Sequence, residues 1–265
     1  MNGFFDRLRH AASARDSLLC VGLDPEPSRI EGGLAGAVRH CADVVEATSD
    51  IACAYKPNSA FWEQYGPDGW QGLAEMRERI PSDIPVIFDV KRADVPNTME
   101  AYARAAFDAM RMDAVTLHAY HGAESLQPFT DRAERAVYVV CRTSNPGASD
   151  LQDKGVGDHP LYVEVGEMAR RVNHHANVGV VVGATAGEEL RELRTRFPEL
   201  PFLVPGVGAQ GGDLEAAVRA AWTGDAASCL ISVSRSVLYD RHPAAVADKL
   251  RERMRAVMTA ARRPA

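Results

Sequence analysis

Apolar residues fall along the chain in short, nearly unbroken runs rich in β-branched side chains. They are SLLCVGL (17–23), IACAY (51–55), PVIFDV (85–90), DAVTLHA (113–119), AVYVVC (136–141), NVGVVVG (177–183), PFLVPGV (201–207) and ASCLISV (227–233). Runs without polar alternation predict strands covered on both faces, as in a parallel sheet. Helical spacing fills most of the gaps, for example in GLAGAVRHCADVVEATSD, NTMEAYARAAFDAM, PLYVEVGEMARRVNHHA, AGEELRELRTRF and GDLEAAVRAAW. Asn97 or Thr98 is placed to cap the helix after the third run, with Pro96 marking the turn. A last helix is expected from about 242 to 261, with Pro243 in its first turn. Phe4, Phe5 and Leu8 share one face of a short N-terminal helix. Eight strands alternating with helices predict a closed (β/α)8 TIM barrel of α/β class. An open doubly wound sheet is the alternative. It loses support because GLDPEPS, not G-x-G-x-x-G, follows the first run. The irregular stretch 142–159, RTSNPGASDLQDKGVGDH, is expected to be a mobile loop at the barrel mouth.

The length of 265 residues suits one domain, 1–265, of this architecture. No apolar run approaches the length that crosses a bilayer, so no membrane association is expected. The first residues lack the apolar core of a signal peptide. The five cysteines show no CxxC pairing, which predicts buried reduced thiols, a cytoplasmic protein and no metal site. A net charge of −6 argues against nucleic acid as a partner. His174 and His175, adjacent on a predicted helix, diverge and are not expected to share a metal.

Polar residues recur where the predicted strands end, which in such a barrel is the reactive face. Asp24 follows strand 1 and Lys56 strand 2. Asp89 and Lys91 close strand 3, and His118 closes strand 4. Thr143, Ser144 and Asn145 follow strand 5, Gln210 strand 7 and Arg235 strand 8. Period-two alternation turns Asp89 and Lys91 to the same side as Ile87, into the barrel, with Val86, Phe88 and Val90 facing the helices. A lysine buried beside a carboxylate stays protonated, because the opposite charge offsets desolvation. With Lys56 and Asp94 added, the charges alternate and hold one another in place, a preorganised electrostatic site. Lys91 is then a proton donor at neutral pH. The bland reading, a salt bridge sealing the core, is disfavoured by the number of charges gathered there. VPGVGAQGGD (204–213) and Arg235 in SVSRSVLY (232–239) stand where these barrels seat a phosphate, and the glycine-rich turn and the helix N-terminus behind it can face an anion.

Together these segments resemble orotidine 5'-phosphate decarboxylase. FDVKRADVPNT is similar to that family's D-x-K-x-x-D motif with its following Thr. CVGLDP, AYKPN, CRTSNPGASDLQ, VPGVGAQGGD and VSRSVLY resemble its other motifs in order, from about residue 4 to 240. The K-R form and TSNPG are closest to a bacterial subgroup. The resemblance implies decarboxylation of orotidine 5'-monophosphate to uridine 5'-monophosphate, the last step of de novo pyrimidine synthesis, without a cofactor. It implies Lys91 as the acid that protonates C6 and Asp89 against the departing carboxylate. Lys56 would join the charge network and touch the ribose, Asp24 would bind a ribose hydroxyl, and Ser144 would bond the pyrimidine. Gln210 and Arg235 would hold the 5'-phosphate. Asp94 and Thr98 would reach into a partner subunit's site, which implies a homodimer. Three positions depart from the pattern: Ala93 stands where glycine is usual, His118 where an Asn before a Pro is usual, and Gly212 where a tyrosine sometimes occurs. His118 is expected to be structural. A metal-dependent phosphosugar aldolase or keto-acid phosphate decarboxylase on the same scaffold is the nearest rival, and AYKPN lacks the acid it would need. A non-catalytic phosphate-ligand-binding barrel is a further alternative.

Overall fold

The structure, a computed structural model, describes residues 3–208 and 211–262. Eight strands form the barrel: β1 (Leu19–Gly22), β2 (Ala54–Lys56), β3 (Ile87–Arg92), β4 (Ala114–Leu117), β5 (Ala136–Arg142), β6 (Val178–Val182), β7 (Phe202–Pro205) and β8 (Cys229–Val233). Every one lies on an expected run. All neighbouring pairs are parallel, in the order β2-β1-β8-β7-β6-β5-β4-β3. The seam between β2 and β3 is closed by single bridges, Tyr55 to Val86 and Asn58 to Asp89.

Each strand is followed by helix. The helices are α1 (Phe4–Arg15), α2 (Gly33–Thr48), α3 (Ser59–Glu63), α4 (Pro67–Arg79), α5 (Pro96–Ala103), α6 (Ala123–Thr130), α7 (Leu161–Arg171), α8 (Gly187–Arg196), α9 (Leu214–Ala221), α10 (Arg235–Leu238) and α11 (Pro243–Arg262). α5 runs on as a wider π-turn over Arg104–Ala109. Its start differs from expectation: Val95 is the N-cap and Pro96 the first helical residue, so Asn97 and Thr98 lie inside the helix. Proline lacks an N–H to satisfy, which suits it to that position. α7 ends at Arg171, so His174 and His175 sit in the turn beyond it. The stretch 142–159 carries a 3-10 turn at Pro146–Asp150 and a hairpin pairing Gly155–Val156 with His159–Pro160.

Two apolar layers follow from strand alternation. Ile87, Ala114, Tyr138, Val140, Val181, Leu203 and Leu230 fill the barrel interior. Val86, Phe88, Val115, Val137, Val180 and Val204 pack outward under the helices. α1 closes the bottom. Phe4 and Phe5 meet Tyr138 edge-on at 6.2 and 5.8 Å, and Leu8 is fully buried. All five cysteines are buried and free. No described helix is long and apolar enough to cross a membrane.

Candidate active site

The strand ends at the top of the barrel open into a cavity of about 900 Å³. Its walls include Asp24, Lys56, Asp89, Lys91, His118, Ser144 and Arg235, which the sequence singled out. Thus residues from β1, β2, β3, β4, β5 and β8 meet around one space.

Asp89 is the hub of its charges. Lys56 Nζ donates to Oδ2 at 2.8 Å, and Lys91 Nζ donates to Oδ1 at 2.5 Å. Thr116 Oγ1 donates to Oδ1 at 2.8 Å, and Asn58 Nδ2 lies 3.4 Å from Oδ2. Burial works to raise the Asp89 carboxyl, but the Lys56 and Lys91 ammonium groups outweigh it and hold it below its ordinary range. Burial likewise works to lower Lys56, and Asp89 and Asp24 outweigh it, so its ammonium is held above the ordinary lysine range. Asp24 Oδ1 accepts from the backbone N–H of Asn58 at 3.0 Å, which ties the loop after β1 to the end of β2.

Lys91 faces the cavity, though not through strand alternation alone. From Phe88 to Arg92 β3 advances four residues while its partner β4 advances only from Val115 to Leu117. The surplus bulges, and Lys91 takes a left-handed backbone, φ 44°, uncommon for a residue with a side chain. Its N–H, drawn out of the ladder, donates to Thr116 Oγ1 at 3.0 Å. The expectation of a buried Lys91 is corrected. Its side chain is 42% exposed, against 8% for those of both Lys56 and Asp89. The buried cation of the site is therefore Lys56, and Lys91 stands at the wet surface of the cavity.

Asp94 and Thr98 do not join this cavity in their own chain. Asp94 Oδ1 accepts from Val95 N–H at 2.7 Å, and the Thr98 N–H donates to Val95 O at 3.1 Å at the start of α5. Within one chain, then, Asp94 is not among the residues that line the cavity. His118, expected to be structural, lines the cavity. Burial and the nearby Lys91 charge push its imidazole below the ordinary range, so it is neutral at pH 7.

The ends of the neighbouring strands β7 and β8 add Pro205, Gly206, Val207, Ser234 and Arg235 to the lining. Gly206 and Gly208 adopt φ 96° and 73°, values open to glycine, which lets β7 turn sharply here. The N–H groups of Gly208, Gly211 and Gly212 are taken up inside the turn. Asp213 caps α9 by accepting from Ala216 N–H at 2.8 Å, so that helix start holds its own anion. Gln210 lies outside the described residues. Arg235 is exposed to the cavity, and the buried Ser234 Oγ beside it has no partner among the described residues.

Sequence reading missed Thr116, Asn58, Ser234 and Tyr239. The signal for Thr116 was present, as a polar residue two before His118 and on the same strand face. Tyr239, just past α10, donates to Asp24 O at 2.9 Å and accepts from Glu26 N–H at 2.7 Å. Such a link between chain ends carries no local signal.

Comparison with known proteins finds close relatives of the chain. The model for the family described as Orotidine 5'-phosphate decarboxylase / HUMPS family matches residues 17–250. Orotidine 5'-phosphate decarboxylase of Roseiflexus castenholzii is 49% identical over 242 residues, 89% of each chain. The structure of Leishmania donovani OMP decarboxylase is similar with a TM-score of 0.91 at 43% identity, covering 97% of this chain and 100% of that one. Leishmania donovani UMP synthase gives 0.93 at 44% identity, covering 98% of this chain but 57% of that one. The chain thus spans little more than half of that synthase.

Proposed function

Because the chain belongs to the orotidine 5'-phosphate decarboxylase / HUMPS family, we propose that it is a carboxy-lyase converting orotidine 5'-monophosphate to uridine 5'-monophosphate. The observation that carries this reading is the row Lys56–Asp89–Lys91 on the wall of a cavity that Arg235 also lines.

In this reading Arg235 and the Ser234 hydroxyl, unpartnered among the described residues, grip the 5'-phosphate together with Gln210. Asp24 accepts from a ribose hydroxyl, Lys56 touches the ribose, and Ser144 bonds the pyrimidine. The substrate carboxylate then lies against Asp89. When the C6–carboxylate bond breaks, CO2 leaves and the electron pair stays on C6. The Lys91 ammonium, held by Asp89, stabilises that charge and passes a proton to C6, after which water restores the ammonium. The fixed charges need no reorganisation as the reaction proceeds, which is where preorganised sites gain rate. Asp94 and Thr98, which do not line their own cavity, supply the partner's site in a homodimer, and no cofactor takes part.

Among the described residues no group of three or more His, Cys, Asp or Glu is gathered to hold a metal ion. A metal-dependent phosphosugar lyase is separated from the present reading by assay with and without chelator. The direct test follows the loss of orotidine 5'-monophosphate absorbance together with CO2 release. Wild-type protein is expected to turn over, and Lys91→Ala to lose at least about 10³-fold in kcat while still binding uridine 5'-monophosphate. Near-normal turnover by that variant would sink the assignment of the proton donor.

A further inference from the structure

The loop after β5 contains a chain of hydrogen bonds whose polarity can be worked out atom by atom. Arg142, buried at the end of β5, donates from Nη2 to Glu189 Oε1 at 3.0 Å and from Nη1 to Gln152 Oε1 at 3.3 Å. The Thr143 backbone N–H donates to the same Gln152 Oε1 at 2.9 Å. A guanidinium and a backbone amide can only donate, so this end of Gln152 is its carbonyl oxygen and the other end its NH2. Gln152 Nε2 then donates to Thr143 Oγ1 at 2.8 Å. That hydroxyl has one proton to give, and its acceptor is Asn145 Oδ1 at 2.7 Å. Asn145 is left with its Nδ2, which has no partner among the described residues, on a side chain that lines the cavity. Gln152, oriented by Arg142 and the Thr143 backbone, leaves the Thr143 hydroxyl its proton to give, and giving it to Asn145 Oδ1 keeps the Nδ2 end of that side chain off Thr143.

We infer that Asn145 is a further substrate-binding residue, donating from Nδ2 to an oxygen of the bound nucleotide, and that Gln152 is a positioning residue setting its polarity. The oxygen is an acceptor, and because the decarboxylase reading gives the phosphate to Arg235 and the ribose to Asp24 and Lys56, it is of carbonyl or carboxylate type. The inference rests on the decarboxylase reading and adds to it a contact and the device that orients it.

The test is steady-state kinetics with orotidine 5'-monophosphate and calorimetric binding of uridine 5'-monophosphate. Asn145→Asp keeps the oxygen that accepts from Thr143 and replaces the free donor by an acceptor. It is expected to raise KM at least about tenfold, and Asn145→Ala about threefold, with Tm unchanged to within about 2 °C. Gln152→Glu removes the Nε2 donor and frees Thr143 from its role. It is expected to raise KM less than Asn145→Asp does, with kcat near wild type. Weaker binding of the product by Asn145→Asp identifies a ring carbonyl, and weakening confined to the substrate identifies the carboxylate. KM within twofold of wild type for both Asn145 variants, or equal losses in both, overturns the inference. A wild-type KM in Gln152→Glu overturns the positioning role. Wild-type protein that releases no CO2 overturns the functional reading itself, and the inference with it.

Discussion

Asp89 holds two cations and accepts from Thr116, so one substitution there tests stability and chemistry together. Asp89→Asn leaves Lys56 buried without its counter-ion and is expected to destabilise the fold by about 3–5 kcal/mol in urea unfolding at pH 7. An aspartate whose folded pKa lies below its unfolded value of about 3.9 contributes stability present above that value and lost as pH falls through the folded one. The difference between wild type and Asp89→Asn should therefore stay level from about pH 9 to 5 and shrink below about pH 4. A difference that shrinks between pH 8 and 6 would contradict this picture of the pair. Lys56 acts at the other end of the scale: its raised pKa gives stability fully present below about 10.4 and lost as pH rises through the folded value. At this scale the D-x-K spacing announced the pair plainly. Thr116 was harder to see, because its partner Asp89 lies 27 positions away along the chain.

Strands and turns decide how those residues meet. Gly183, next to the last residue of β6, is an instructive case. A Cβ there would sit 2.8 Å from the backbone nitrogen of Ser144, and 2.8 Å from its Cβ. Backbone does not yield as a flexible side chain does, so Gly183→Ala must displace the loop that carries Ser144 and Asn145. The expected outcome is a loss of about 1–3 kcal/mol in stability and a KM raised about tenfold, checked by thermal unfolding and kinetics on the same sample. Wild-type KM in a folded variant would show that Ser144 does not touch substrate. Tyr239 joins α10, which begins with Arg235, to the backbone of Asp24 and Glu26 in the loop after β1. Tyr239→Phe strands a backbone N–H and a carbonyl, and is expected to raise KM about fivefold with kcat changed less. Equal losses in KM and kcat would instead place the hydroxyl's effect in the chemical step. The eight strands were legible as apolar runs, and α11 nearly to the residue. The bulge in β3 was not, because two surplus residues show only against the register of β4.

At the scale of the whole molecule, α1 seals the barrel floor with Phe4, Phe5 and Leu8, as its apolar face foretold. The opposite end carries the cavity. Asp94 and Thr98 are not among the residues that line their own cavity, and Val95 in the loop after β3 and Tyr120 in the loop after β4 are 51% and 84% exposed. A homodimer with shared sites predicts that mixing Lys91→Ala with Asp94→Asn chains restores activity neither shows alone, since a mixed dimer contains one intact site. Light scattering should show twice the 28.7 kDa chain mass. A monomer, or mixtures as inactive as their components, would rule out sharing.

By itself the sequence determined the alternation of buried strands with helices, the rim position of its charges, and the family to which those motifs belong. These follow from local patterning, since burial on both faces and strand-end polarity are written in consecutive residues. Tertiary structure alone decided which lysine is buried, where the strand bulges, which glycine makes room for Ser144, and which end of Asn145 Thr143 holds. Each of those depends on atoms brought together from distant positions, where distance and donor count, rather than residue type, determine the outcome.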